Sequence, residues 1–221
     1  MSSEAVAPRP ASTILLLRDS AAGEIEVFMM VRHYEIDFNS GALVFPGGSV
    51  DKGDQEIIQD PELYSGGEGL EASALSFRIA AIRETFEESG ILLALNELVP
   101  YAHWITPEGV PKRFDTWFFL AAAPPEQVGA HDGKESTNSI WLSPREALAG
   151  GESGRFKLPF PTTRNLIRLG KQPDVRAALD DAGSRPIVTV MPVVTKVNGS
   201  RQLRIPLEAG YDGELFEINA S

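Results

Sequence analysis

Three carboxylates crowd one short stretch of this chain: Glu84, Glu87 and Glu88, directly after Arg83. At 3.6 residues per turn, positions i, i+3 and i+4 share a helical face, so the three acids would stand together. Leu75, Ile79, Ile82 and Phe86 recur at helical spacing through the same stretch, and Gly90 is placed to end it. The spacing predicts a helix over 74–89 that buries the apolar stripe and presents the acids on the opposite side. Like charges at that spacing repel, and a hard cation with oxygen ligands is the natural compensation. The string Arg-Glu-x-x-Glu-Glu also occurs on plain solvated helices, so its surroundings decide its meaning. Upstream, Phe45-Pro46-Gly47-Gly48 ends an apolar strand in a glycine turn, where a backbone can approach a phosphate closely. Gly47 and Gly48 are therefore candidate substrate-binding positions.

Elements able to hold these two features lie on either side. Residues 13–17 and 24–31 read as strands around a turn at 19–23, and 42–45 as a short apolar strand. Residues 32–40 are mixed and read as a loop. From 55 to about 75 the chain is acidic, with Glu56, Asp60, Glu62, Glu68 and Glu71 and no Lys or Arg. It reads as an insertion, either solvated chain or a lid. Residues 91–95, 113–121 and 139–142 read as further strands. Ser143 and Pro144 are an N-cap and first helical residue. Residues 162–170 and 174–181 look helical. Residues 187–197 and 201–207 flank Asn198-Gly199, a hairpin signal, and Pro192 makes the first of them an edge or broken strand.

The 221 residues are enough for one domain with a real core, and 43% are hydrophobic, as in soluble globular proteins. We read 1–12 as a flexible lead-in without a signal-peptide core, and 13–221 as one domain with a C-terminal extension from about 156. The longest aliphatic runs, such as Ile14 to Leu17, fall far short of the ~20 residues that span a bilayer, so no membrane partner is expected. The absence of cysteine excludes disulfides, thiolate ligands and cysteine nucleophiles. A net charge of −11 counts against a nucleic-acid partner, which needs a basic face. An acidic enzyme can still act on phosphates when metal ions screen the repulsion. His33, His103 and His131 stand too far apart to read as a zinc site. Trp104, Trp117 and Trp141 read as core, Trp104 being the one considered for a pocket wall. A cytoplasmic location and a homodimer are both compatible with this composition.

The residues around the acids resemble the Nudix hydrolase family. Its box runs Gly, five residues, Glu, seven residues, then Arg-Glu-hydrophobic-x-Glu-Glu-x-Gly-hydrophobic. Here Gly48 and five residues lead to Asp54, and Arg83-Glu84-Thr85-Phe86-Glu87-Glu88-Ser89-Gly90-Ile91 follows. Asp54 replaces Glu, Thr85 stands where an aliphatic residue is usual, and 28 residues rather than seven separate the halves. Arg113 to Leu120 looks like the family's central strand. Glu135, then five residues, then Trp141-Leu142-Ser143-Pro144 looks like the loop and strand that often supply a further catalytic carboxylate. The match covers about residues 13 to 150.

The resemblance implies an α/β fold, an α/β/α sandwich with a mixed sheet. It implies Mg²⁺ or Mn²⁺ held by Glu87, Glu88, Glu84 and Asp54. It also implies that Arg83 positions Glu84, and that Glu84 or Glu135 acts as the base. The implied activity is hydrolysis of a diphosphate linkage in a nucleotide derivative. Arg32 followed by Ile36, Gly41, Leu43, Phe45-Pro46-Gly47-Gly48 and Asp51 resembles the CoA-diphosphatase branch, with His33 where Ser is usual. Arg32 could pair bidentately with a phosphate there. Pro107, sixteen residues past Ile91, is similar instead to ADP-ribose hydrolases. CoA or acyl-CoA is the preferred substrate and ADP-ribose the alternative, with a nucleoside triphosphate further off. A non-catalytic Nudix-like sensor and RNA decapping fit less well: the first typically loses box acids kept here, and the second meets an acidic chain.

Overall fold

The structure is a computed structural model and describes residues 6–32, 41–57, 71–125, 136–197 and 200–218. Strand β1 (Arg9–Asp19) runs through its centre. Ile14, Leu15, Leu16 and Leu17 are all fully buried. They are continuously apolar because both faces of the strand are covered: Leu15 and Leu17 pack into one cluster, Ile14 and Leu16 into the other. β1 pairs antiparallel with β2 (Ile25–Arg32) and parallel with β6 (Phe114–Ala122), the latter from Arg9↔Phe114 to Leu17↔Ala122. β3 (Leu43–Val44) and β7 (Ser136–Leu142) join β2, β5 (Val99–Ile105) joins β6, and β8 (Thr189–Val190) joins β5. β4 (Gly47–Ser49) pairs with the start of β1, Ser12↔Gly48. The result is an eight-stranded mixed sheet.

Helix α1 (Lys52–Ile57) precedes α2 (Ala72–Ser89), which covers the Ile14–Leu16 face with Phe77, Ala81 and Ile82. The opposite face is covered by α3 (Pro144–Glu152), α4 (Phe160–Leu169) and α5 (Val175–Ser184) through Ala147, Leu166, Leu169, Val175 and Ala178. The α/β/α sandwich is therefore as expected. A separate three-stranded sheet, β9 (Val193–Val197), β10 (Ser200–Arg204) and β11 (Leu215–Ile218), leans on that second core through Ile205 and Phe216. β8 and β9 are interrupted at Pro192, as its missing donor requires. The Asn198-Gly199 turn lies outside the described residues; the strands that flank it pair Val197↔Ser200. Ser143 caps α3 in a reciprocal box: its side chain accepts from the Glu146 N–H, and the Glu146 carboxylate accepts from the Ser143 N–H at 2.9 Å. Those bonds hold the Glu146 carboxyl below its usual value.

Three expectations are corrected. Residues 9–12 are strand, not lead-in, because Arg9 N–H donates to the Arg113 carbonyl and the Arg113 guanidinium to the Val6 carbonyl. Residues 91–95 form no strand: Ile91, Leu93 and Leu95 are buried, but the segment closes in a 3-10 turn at Leu95–Glu97. The strand is 99–105, and a register shift between Pro100 and Ala102 blurs its alternation. Finally, Phe86 is 53% exposed whereas Thr85 is fully buried. The last turns of α2 face the sheet with Ala81, Thr85 and Glu88, one helical face at i, i+4 and i+7. The buried stripe is thus rotated away from Phe86.

Candidate active site

Arg83 organises the acidic end of α2. Its Nε and Nη2 donate to the two oxygens of Asp54, at 2.8 and 3.0 Å. Nη1 donates to Glu84 at 3.0 Å and to Glu87 at 3.1 Å, and Nη2 also to the Ser49 carbonyl at 3.0 Å. These partners account for all five guanidinium N–H donors. Asp54, on α1, is 1% exposed, and its Oδ2 also accepts the Asp51 N–H at 2.7 Å. The hydrogen bonds to Asp54, and then the charge of Glu84, hold the Arg83 pKa above its ordinary value against the burial that lowers it.

The glycine turn seats the other acids. Pro46 accepts from the Ile14 N–H, which fixes the turn against β1. The Gly47 N–H donates to Glu88 at 2.8 Å, and Glu88 is only 7% exposed. Gly47 has φ +153°, and a Cβ there would fall 2.2 Å from the Ser12 carbonyl oxygen. A Cβ on Gly48 would fall 2.3 to 2.6 Å from the Glu84 carboxylate. The absence of both side chains lets the helix press its acids against the turn. Glu84 is largely covered, with 15% side-chain exposure, while Glu87 is 56% exposed.

Asp54, Glu84 and Glu87 thus bond to one guanidinium, with Asp51 at 3.8 Å from it, and Glu88 stands beside them on the Gly47 N–H. This oxygen-rich donor set suits a hard divalent cation. Among the described residues, however, no three of these groups already converge as metal ligands. Glu84 and Glu87 turn to Arg83, Glu88 to the Gly47 N–H, and Asp54 to Arg83 and Asp51. Sequence reasoning missed two groups that complete the arrangement, the Ser49 carbonyl and the Gly47 amide. Neither has a side-chain signature; the paired glycines were the available signal.

Arg32 ends β2, its backbone paired with Ser136 across a register shift; its side chain lies outside the described residues. Glu135, His33, His131 and most of the insertion also lie outside them. Trp104 is core, 3% exposed, with its Nε1–H donating to the Tyr211 hydroxyl at 3.0 Å. His103 lies between Asp115 (2.5 Å from Nε2) and Thr189 (2.8 Å from Nδ1) and stacks on Trp117.

No family model matches the chain. Known proteins do. A Caenorhabditis elegans protein named as nudix hydrolase 7 is 28% identical over 67% of this chain and 57% of its own length. The acyl-coenzyme A diphosphatase of Xenopus laevis is 26% identical over 66% of this chain and 60% of its own. The chain thus spans less than two thirds of the curated relatives it matches. Among solved structures, a Nudix hydrolase from Alicyclobacillus acidocaldarius superimposes with a TM-score of 0.70 at 25% identity, over 82% of this chain and 99% of that one. A MutT Nudix hydrolase from Burkholderia pseudomallei shares the fold, with a TM-score of 0.50 at 16% identity over 74% of this chain and 99% of that one. The mixed sheet with helices on both faces matches the architecture of that Alicyclobacillus Nudix hydrolase. In sequence and in fold this chain is similar to Nudix hydrolases.

Proposed function

We propose that this protein hydrolyses a diphosphate linkage in CoA or acyl-CoA, giving 3′,5′-ADP and the (acyl-)4′-phosphopantetheine. The observation that carries the hydrolase reading is the clustering of three glutamates of α2, Glu84 and Glu88 against the Gly47-Gly48 turn and Glu84 and Glu87 on Arg83. Glu84, Glu87 and Glu88 would hold the cation, Mg²⁺ or Mn²⁺, as members of this family generally use divalent ions. The cation would neutralise the diphosphate and activate the attacking water. Asp54 has both oxygens committed to protein donors, so we assign it to anchoring Arg83 rather than to the metal. Arg83 in turn holds Glu84 and Glu87 through charge-assisted bonds. A carboxylate, Glu84 or Glu135, takes the proton of the attacking water as the new P–O bond forms and the bridging P–O bond breaks. Gly47, Gly48 and Arg32 line the substrate phosphates in this reading.

The CoA assignment rests on the spacing from Arg32 to Asp51 and on the Xenopus relative, itself named an acyl-coenzyme A diphosphatase. The test is a panel of CoA, acyl-CoA, ADP-ribose, NADH, dinucleoside polyphosphates and nucleoside triphosphates with Mg²⁺ or Mn²⁺, products separated by chromatography. Release of 3′,5′-ADP from CoA, abolished by chelator, is expected. Efficient cleavage of ADP-ribose with no 3′,5′-ADP from CoA would promote the alternative substrate, and turnover of nothing in the panel would favour a ligand sensor.

A further inference from the structure

The face of the sheet opposite α2 holds a cavity of about 130 Å³ between β5, α4, the segment after α5 and the 3-10 turn at Leu207–Ala209. Tyr101, Arg168, Arg185, Glu208 and Tyr211 line it. That is ample for a phosphate-sized group, since one water needs only about 10–15 Å³ on this measure. Arg168 is 9% exposed. Its guanidinium lies 4.4 Å over the Tyr101 ring, and Nη1 donates to the Tyr101 carbonyl at 3.0 Å. Among the described residues no carboxylate forms an ion pair with it, and its Nε has no acceptor. One turn earlier on the same helical face, Asn165 is fully buried. Its Oδ1 accepts from the Tyr211 hydroxyl at 2.7 Å, and its Nδ2 has no acceptor.

A buried cation without a counter-charge and a buried amide without an acceptor are both unfavourable. Arg168 lines the cavity, and Asn165 stands behind its wall, bonded to the lining residue Tyr211; together they leave a surplus of donors on this face of α4. Arg185, at the mouth, is held by Asp181 at 2.7 Å. Glu208 opposes an anion but is exposed, where solvent and salt screen it. Burial pushes the Tyr101 and Tyr211 phenols up, so they add no negative charge.

We propose that this cavity is a binding site for a phosphate-class oxyanion, with Arg168 as its main ligand and Arg185 at its mouth. A guanidinium matches such a group bidentately. The site is independent of the acids of α2 and does not rest on the diphosphatase reading.

The experiment titrates inorganic phosphate into the full chain at constant ionic strength, with chelator present so that no cation holds phosphate at the acids. Melting temperature and tryptophan fluorescence are followed, since Trp104 bonds to Tyr211 in the cavity wall. A saturable rise in both is expected, with acetate weaker than phosphate, and retained in Glu88→Gln. Arg168→Met should weaken binding by at least ~10-fold, and Arg185→Gln by less. Where Arg168→Met fails to fold, Asn165→Asp decides: it sets an internal carboxylate beside Arg168 at unchanged size and should abolish the response. A response no larger than that to sodium chloride, or one unchanged in both Asn165→Asp and Arg185→Gln, overturns the proposal and leaves water as the occupant.

Discussion

On one side of the central sheet, α1 and α2 set Asp54, Glu84 and Glu87 around a single guanidinium, with Glu88 beside them on the glycine turn. On the other, α4 sets Arg168 in the wall of a cavity and Asn165 one turn before it, both with donors that lack acceptors. The first region has acid to spare and every donor of its arginine used; the second has donors to spare and no acid on its buried arginine. Burial is similar in kind, with Asp54 and Arg168 both nearly inaccessible. What differs is the sign of the surplus, and therefore the ligand each region calls for: a cation on the α2 side, an anion on the α4 side.

The sharpest way to break this contrast is to remove the ion pair that anchors the acidic side. Asp54→Ala leaves Arg83 without its bidentate partner and should cost about 3–5 kcal/mol, the scale of breaking a buried pair. Urea denaturation measures it; stability equal to the parent would mean that Asp54 is not the anchor. Next in size are the charges themselves. Glu87→Gln and Glu88→Gln should each lower kcat by at least ~100-fold, the loss of a major electrostatic element. A glutamine at 88 still accepts the Gly47 N–H, so the melting temperature should hardly move. Near-normal turnover in Glu88→Gln would sink the assignment of the acids to a metal.

The smallest effects separate the two glycines. Gly47→Ala meets backbone at 2.2 Å and an unfavourable φ, and should cost about 1–3 kcal/mol of stability. Gly48→Ala meets only the Glu84 carboxylate, which can swing aside. It should leave stability within about 0.5 kcal/mol and reduce kcat instead. Circular dichroism melts set beside steady-state rates test the split; a Gly48→Ala protein that melts early with normal turnover would contradict it.

Much of this was legible before any coordinates. The run from Ile14 to Leu17 reads as a strand and Ser143-Pro144 as the start of α3, because these signals are local. The acids at 84, 87 and 88 are likewise close in sequence, and helical geometry alone brings them together. Other features were misread for the complementary reason. The alternation of Ile91, Leu93 and Leu95 looks like a strand, but hydrogen-bond partners, which periodicity does not encode, decide whether a buried extended segment joins a sheet. Phe86 fitted a helical stripe, yet which side of α2 is covered depends on how the helix seats on β4.

By itself, then, the sequence determined the family resemblance, the sandwich class and the identity of the acids, since each follows from residue type and short-range spacing. Only the tertiary structure decided that Asp54 crosses the insertion to grip Arg83, 29 positions away, with both oxygens. Only it brought Tyr101, Asn165, Arg168 and Tyr211 to one wall. Those contacts join residues tens of positions apart, and their energies depend on burial and on which partners the packed chain leaves within reach, quantities no local pattern carries.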